Sequence, residues 1–106
     1  MRLKGNKVLS LLGLAKRAGK VVSGEFSTET AVKSSKAYLV VVSEEASENT
    51  KKKFSNMCTY YRVPIYFYGK KEELGKCIGQ EFRASLAVTD PGFSEALRKQ
   101  MESQQG

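Results

Sequence analysis

Along the first part of the chain, Val8, Leu11, Leu12, Ala15 and Ala18 fall on one helical stripe and leave Ser10, Lys16 and Arg17 on the other side. That spacing predicts an amphipathic helix over residues 7–18, with Gly19 as its stop. Residues 21–23 then form a short β-branched strand, and Gly24 marks the turn after it. A weaker stripe of Thr28, Ala31, Val32 and Ser35 predicts a second helix from Ser27, with Glu29, Lys33 and Lys36 on its opposite side. Glu29 precedes Lys33 by four residues, the spacing at which an acid and a base meet on a helix surface.

The near-continuous apolar run at 38–42 predicts a central strand covered on both faces. Serine and acids then open a third helix, with Thr50, Phe54, Met57, Cys58 and Tyr61 on one face and the acids Glu44, Glu45 and Glu48 complementing its dipole. Val63-Pro64 forces an extended entry to a strand at 65–68, because the residue before proline is pushed out of the helical region. A short helix over 72–78 carries Leu74, Cys77 and Ile78, and a last strand spans 86–89. Asp90-Pro91 then opens a final helix with the apolar edge Phe93, Ala96, Leu97 and Met101, and the tail SQQG is expected to fray. Helices and strands alternate throughout, the order of a sheet held between helical layers.

At 106 residues the expectation is a single domain over 1–106, and the longest apolar run is far too short to cross a bilayer. The basic, apolar amino-terminal segment has glycines and lysines within its apolar part and no small-residue cleavage site, so it is taken as a mature helix. The chain is expected to be soluble and cytoplasmic, a monomer with no membrane partner. Charge changes the picture when it is divided along the chain: residues 1–36 hold eight Lys or Arg against two acids, which accounts for +6 of the net charge of +7. A local positive field of that kind suits a polyanionic partner.

Catalytic chemistry is poorly supplied. The chain has no histidine, the commonest general base, and the two cysteines, Cys58 and Cys77, lack metal-ligand spacing and are read as reduced, buried thiols. Gly24 lacks the further glycines and the lysine of a phosphate-binding loop. No cofactor, metal or catalytic residue is expected. Nucleic-acid binding fares better, because Lys16, Arg17 and Lys20 close the first helix while Lys33 and Lys36 share the exposed side of the second. Lys51, Lys52 and Lys53 read as a solvated helix face. The aromatic group Tyr60, Tyr61, Tyr66, Phe67 and Tyr68 could stack on bases, but alternation points Phe67 inward with Ile65 and Tyr66 and Tyr68 to the other face, which favours packing.

Several stretches carry a family resemblance. YLVVVSEEAS and VPIYFYGKKEELGKCIGQEFRASLAV resemble the kink-turn RNA-binding ribosomal-protein family, the archaeal large-subunit L-seven-Ae and the L-thirty-e proteins, and LLGLAKRAGKVVSGE with CTYYRVPIYFY resembles its bacterial YlxQ-type branch. LGKCIG, residues 74–79, is the most specific piece. The resemblance implies an α/β fold, a three-layer α-β-α sandwich with a mixed four-stranded sheet, and an RNA-binding protein without catalysis, structured or ribosomal RNA being the partner. It implies two RNA-binding segments: Gly24, Glu25, Phe26, Ser27 and Thr30 entering the widened groove of a kinked stem, and Gly79, Gln80, Glu81, Phe82 and Arg83 holding an extruded nucleotide. The family's best-known RNA binders place Asn-Glu or Lys-Gln, and a lysine three residues on, where this chain has Phe26, Ser27 and Thr30. Lys20 and Lys33 are accordingly assigned to phosphate contact. The alternative function is a protein-interaction module of the translation or transcription machinery that keeps the fold without specific RNA binding.

Overall fold

Four consecutive buried residues make β2 (Leu39–Val42) the spine of the molecule. The computed structural model describes residues 6 to 105; Arg2 and Lys4, which add to the amino-terminal charge, lie outside the described residues, as does Gly106. On one side β2 pairs in parallel with β3 (Ile65–Phe67), Val40 opposite Ile65. On the other it pairs antiparallel with β4 (Ser85–Val88), Val40 opposite Ala87, and β4 in turn pairs antiparallel with β1 (Val21–Ser23). The mixed sheet therefore runs β1-β4-β2-β3, with the last strand of the chain in its interior.

Alternation along these strands sorts the side chains into two cores. Val21, Leu39, Val41, Leu86 and Val88 face α1 (Asn6–Arg17), α4 (Lys71–Cys77) and α5 (Pro91–Gln105), meeting Val8, Leu12, Leu74, Leu97 and Met101. Val40, Val42 and Ala87 face α2 (Glu25–Lys33) and α3 (Glu48–Tyr61), meeting Val32, Phe54 and Cys58. The architecture is thus the expected α-β-α sandwich on a mixed four-stranded sheet. Phe54 is wholly buried, and its truncation to alanine costs about 3–5 kcal/mol.

The helix ends follow from local chemistry. Ser47 Oγ accepts from Thr50 N at 3.1 Å to start α3, and Asp90 Oδ2 accepts from Phe93 N at 2.8 Å to start α5. Glu45 departs from the reading that assigned it to the dipole of α3: its Oε1 accepts from Lys71 N at 3.0 Å, so it satisfies a free amide at the start of α4, beside Glu73, whose Oε1 accepts from Lys70 N at 2.9 Å. Three further expectations shift. Tyr61 is exposed at the end of α3, where Arg62 takes a left-handed conformation (φ 62°). β4 begins one residue early because Ser85 pairs with Val42. α5 continues through Gln105, so the segment expected to fray is helical up to that residue.

Candidate nucleic-acid interface

The turn after β1 depends on Gly24. Its φ of 93° with ψ of 158° is a backbone region that side-chain-bearing residues rarely enter, while its N–H donates to Ser85 O at 3.0 Å and its carbonyl accepts from Thr28 N at 2.9 Å. Both ends of the glycine are therefore tied, one to the sheet and one to the helix. α2 starts at Glu25, two residues before the sequence-based estimate, because the Gly24 carbonyl begins the helical ladder itself. No side chain caps that end, so first-turn amides face outward, the arrangement that attracts anionic oxygens.

The second segment folds back over α4. Gln80 N donates to Gly75 O at 2.8 Å, and a Cβ placed on Gly75 would come within 2.5 Å of Glu81 O. Gly75 of the LGKCIG motif is thus present because backbone crosses it at a separation no other residue permits. Phe82 beyond it is 60% exposed, and so is not the core residue that a phenylalanine near a strand often is.

Arg83 joins the two segments. Its Nε donates to Ser23 Oγ at 3.0 Å, Nη1 to Phe82 O at 2.8 Å and Nη2 to Gln80 Oε1 at 3.1 Å. The planar guanidinium holds its own loop in shape and fixes it to the last residue before Gly24. Gly24, Gly79, Gln80, Phe82 and Arg83 consequently belong to one end of the sheet.

The remaining expected residues divide. Glu25, Glu29 and Lys33 follow one flank of α2, where Lys53 Nζ lies 2.8 Å from both Glu25 Oε2 and Glu29 Oε1 and Lys33 Nζ lies 2.7 Å from Glu29 Oε2. The two lysines hold the Glu29 carboxyl at a pKa of about 2, and the glutamates raise that of Lys53. Lys53, read as a solvated residue, is therefore the partner that neutralises the acids of α2, and Lys33 is committed to Glu29 instead of standing free.

Phe26, Ser27 and Thr30 follow the other flank and line a groove with Ser34, Lys36 and Thr89. Phe26 is 81% exposed, the most exposed large apolar side chain among the described residues. Sequence reasoning grouped Lys36 with Lys33. The helix ends at Lys33, and Ser35 adopts a left-handed conformation (φ 63°), which carries Lys36 to the groove side. The four-residue spacing of Phe26, Thr30 and Ser34 is the signal that would have found this flank.

The cations of α1 form no single rim with that turn. Arg17 lines a separate hollow with Leu14 and Cys77 on the α1–α4 side of the sheet. Lys16 is exposed in the last turn of α1, and Lys20 is at the opposite end of β1 from Gly24, its carbonyl accepting from Thr89 N at 2.8 Å. Lys20 thereby neighbours the far end of the groove. Among the described residues no group of three or more His, Cys, Asp or Glu side chains is placed to hold a metal ion, and no helix is long and apolar enough to cross a membrane.

Comparison with known proteins agrees with this architecture. Residues 6–98 match the model of the Ribosomal protein L7Ae/L30e/S12e/Gadd45 family. The RNA-binding protein YlxQ of Bacillus subtilis (strain 168) is 44% identical over 95 residues, covering 90% of this chain and 95% of that protein. A solved structure of a protein of unknown function from Bacillus halodurans C superposes with a TM-score of 0.88 at 38% identity, covering 91% of this chain and 97% of the other. The 15.5kD RNA binding protein of Giardia lamblia shares the fold with a TM-score of 0.80 at 17% identity, covering 97% of this chain and 91% of that one.

Proposed function

The chain belongs to the Ribosomal protein L7Ae/L30e/S12e/Gadd45 family, and from that premise we propose that it is a non-enzymatic, single-domain RNA-binding protein that docks a folded, ribosomal or kink-turn-like stem on the end of its sheet. The docking face consists of Gly24, Phe26, Ser27 and Thr30 from the first segment and Gly79, Gln80, Phe82 and Arg83 from the second. The observation that carries this reading is the anchoring of Arg83, which shapes its own loop through Phe82 and Gln80 and ties it through Ser23 to a segment far away in sequence. A preorganised surface binds without first losing loop entropy.

Each segment has a distinct part. The first-turn amides of α2 meet phosphate or base oxygens in the groove of the stem, and Phe82 offers an exposed ring to an unstacked base. Glu25, neutralised by Lys53, supports the turn from behind. Lys16, Arg17 and Lys20 supply a more distant positive field that draws the polyanion in. The protein acts as a cytoplasmic monomer, without cofactor or metal.

The test is a titration of the whole chain against a kink-turn duplex and the same duplex with its tandem G·A pairs replaced, at several salt concentrations. Tighter binding to the kinked duplex is the expected result. Equal affinities reduce the function to generic electrostatic contact, and either absence of binding to both duplexes or binding that does not change with salt overturns it.

A further inference from the structure

We propose that the groove on the outer flank of α2, from Phe26 past Thr30 and Ser34 to Lys36, is the track of an RNA sugar-phosphate backbone, an extension of the docking face that rests on the RNA-binding reading above. Phe26, Thr30 and Ser34 recur every fourth residue and so line one side of the helix, and the chain then turns to add Lys36 at the far end.

The two flanks of α2 offer opposite electrostatics. On the inner flank the carboxylates of Glu25 and Glu29 meet the ammonium groups of Lys33 and Lys53 at 2.7 to 2.8 Å, so every charge there already has a partner. A phosphate arriving on that side must break an existing pair and meets two carboxylates. The groove is lined by no carboxylate, and Lys36 makes no ion pair among the described residues. A phosphate reaching Lys36 displaces only solvent counterions, the event from which cation–phosphate contacts draw their free energy.

The neutral groups in the groove suit the same ligand. Ser27, Thr30 and Thr89 bring hydroxyls that can donate to phosphate oxygens. Ser34 Oγ already donates to Thr30 O at 2.8 Å, which leaves it as an acceptor, the partner a ribose 2′-hydroxyl requires. Phe26 offers an apolar surface for a ribose or base where the groove meets the Gly24 turn. With a volume of about 250 Å³ the groove lies below the ~300–1,000 Å³ of sites that enclose a drug-sized ligand, so it fits a strand passing across it and not a molecule held inside it.

The experiment measures the affinity of the full chain for a labelled kink-turn RNA duplex between about 50 and 200 mM salt, for the wild type and for Lys36→Gln, Lys33→Gln and Ser34→Asp. Lys36→Gln is expected to weaken binding and to lower the slope of log affinity against log salt by about 0.7–0.9, the loss of one phosphate contact. Ser34→Asp is expected to weaken binding about tenfold by setting a carboxylate in the track. Lys33→Gln is expected to leave the slope unchanged. Wild-type binding with the slope of Lys36→Gln unaltered, or with the loss appearing in Lys33→Gln instead, overturns the groove while leaving RNA binding intact. No wild-type binding to the duplex, including the case in which an acidic peptide binds in its place, overturns both readings together.

Discussion

Arg83 and Ser23 lie 60 residues apart in the chain and are joined by a 3.0 Å hydrogen bond from the guanidinium Nε to the serine hydroxyl. With all three nitrogens of its fork donating within the protein, Arg83 acts as a tie between segments. Ser23→Ala and Arg83→Gln are each expected to weaken RNA binding, with a coupling of about 0.5–3 kcal/mol in a double-mutant cycle. The salt dependence should stay near the wild-type slope, because no phosphate contact is removed. Additive effects, or a slope reduced by one phosphate in Arg83→Gln, would make Arg83 a direct ligand.

Gly75→Ala tests the close crossing of α4 by the second segment. The added methyl meets backbone atoms of Glu81 and Phe82 at 2.5 to 2.8 Å, and backbone cannot swing aside as a side chain does. Destabilisation of about 1–3 kcal/mol is expected, together with weaker RNA binding as Phe82 and Arg83 are displaced. Thermal unfolding and the duplex titration read the two effects.

Gly24 and Gly75 show why part of the site was legible in the sequence and part was not. Gly24, between a β-branched run and a helical stripe, is identifiable from its neighbours alone, and β1 is found with its bounds intact. The LGKCIG motif also stands out, yet the reason for Gly75 is a contact with residues that follow it, which no local pattern encodes. Lys53 and Glu45 were misjudged for the same reason. Each looks like an ordinary helix-surface or helix-start residue, and each finds its partner on another helix, at a distance fixed only by packing. Lys36 was placed on the wrong flank because the left-handed Ser35 breaks the periodicity on which the estimate relied.

Thr28 is wholly buried against the sheet, and its Oγ1 has no hydrogen-bond partner among the described residues. Thr28→Val keeps the shape and removes a buried hydroxyl whose desolvation costs about 1–3 kcal/mol. The variant is expected to be at least as stable as the wild type, with a melting temperature raised by roughly 4–8 °C for each kcal/mol gained. A lower melting temperature would show that the hydroxyl is satisfied in solution.

Protonation of Glu29 gives a pH signature. Its pKa falls from the ordinary 4.5 to about 2 because it accepts hydrogen bonds from Lys33 and Lys53. A depressed carboxylate contributes stability that is present above the unfolded value and disappears as pH drops through the folded one, so the loss falls between 4.5 and about 2. Side-chain carboxyl NMR should place the Glu29 midpoint near the lower figure, and Lys53→Gln should move it upward.

Burial raises both thiols to about 11. At neutral pH Cys58 and Cys77 are therefore thiols rather than thiolates, and alkylation of the folded protein is expected to be slow and to accelerate about tenfold per pH unit in the alkaline range. Rapid modification of either thiol at pH 7 would indicate that the layer carrying it opens readily.

The interior position of β4 makes the first segment depend on the second. β1 pairs with the sheet only through β4, so the Gly24 turn is anchored to Ser85 only once β4 has taken its place. A chain without that strand carries every residue of the first segment yet lacks the sheet contact that holds the Gly24 turn. The closing of β4 into the sheet thus completes both segments in one step, and pairing across so long a loop of chain is a slow event in folding.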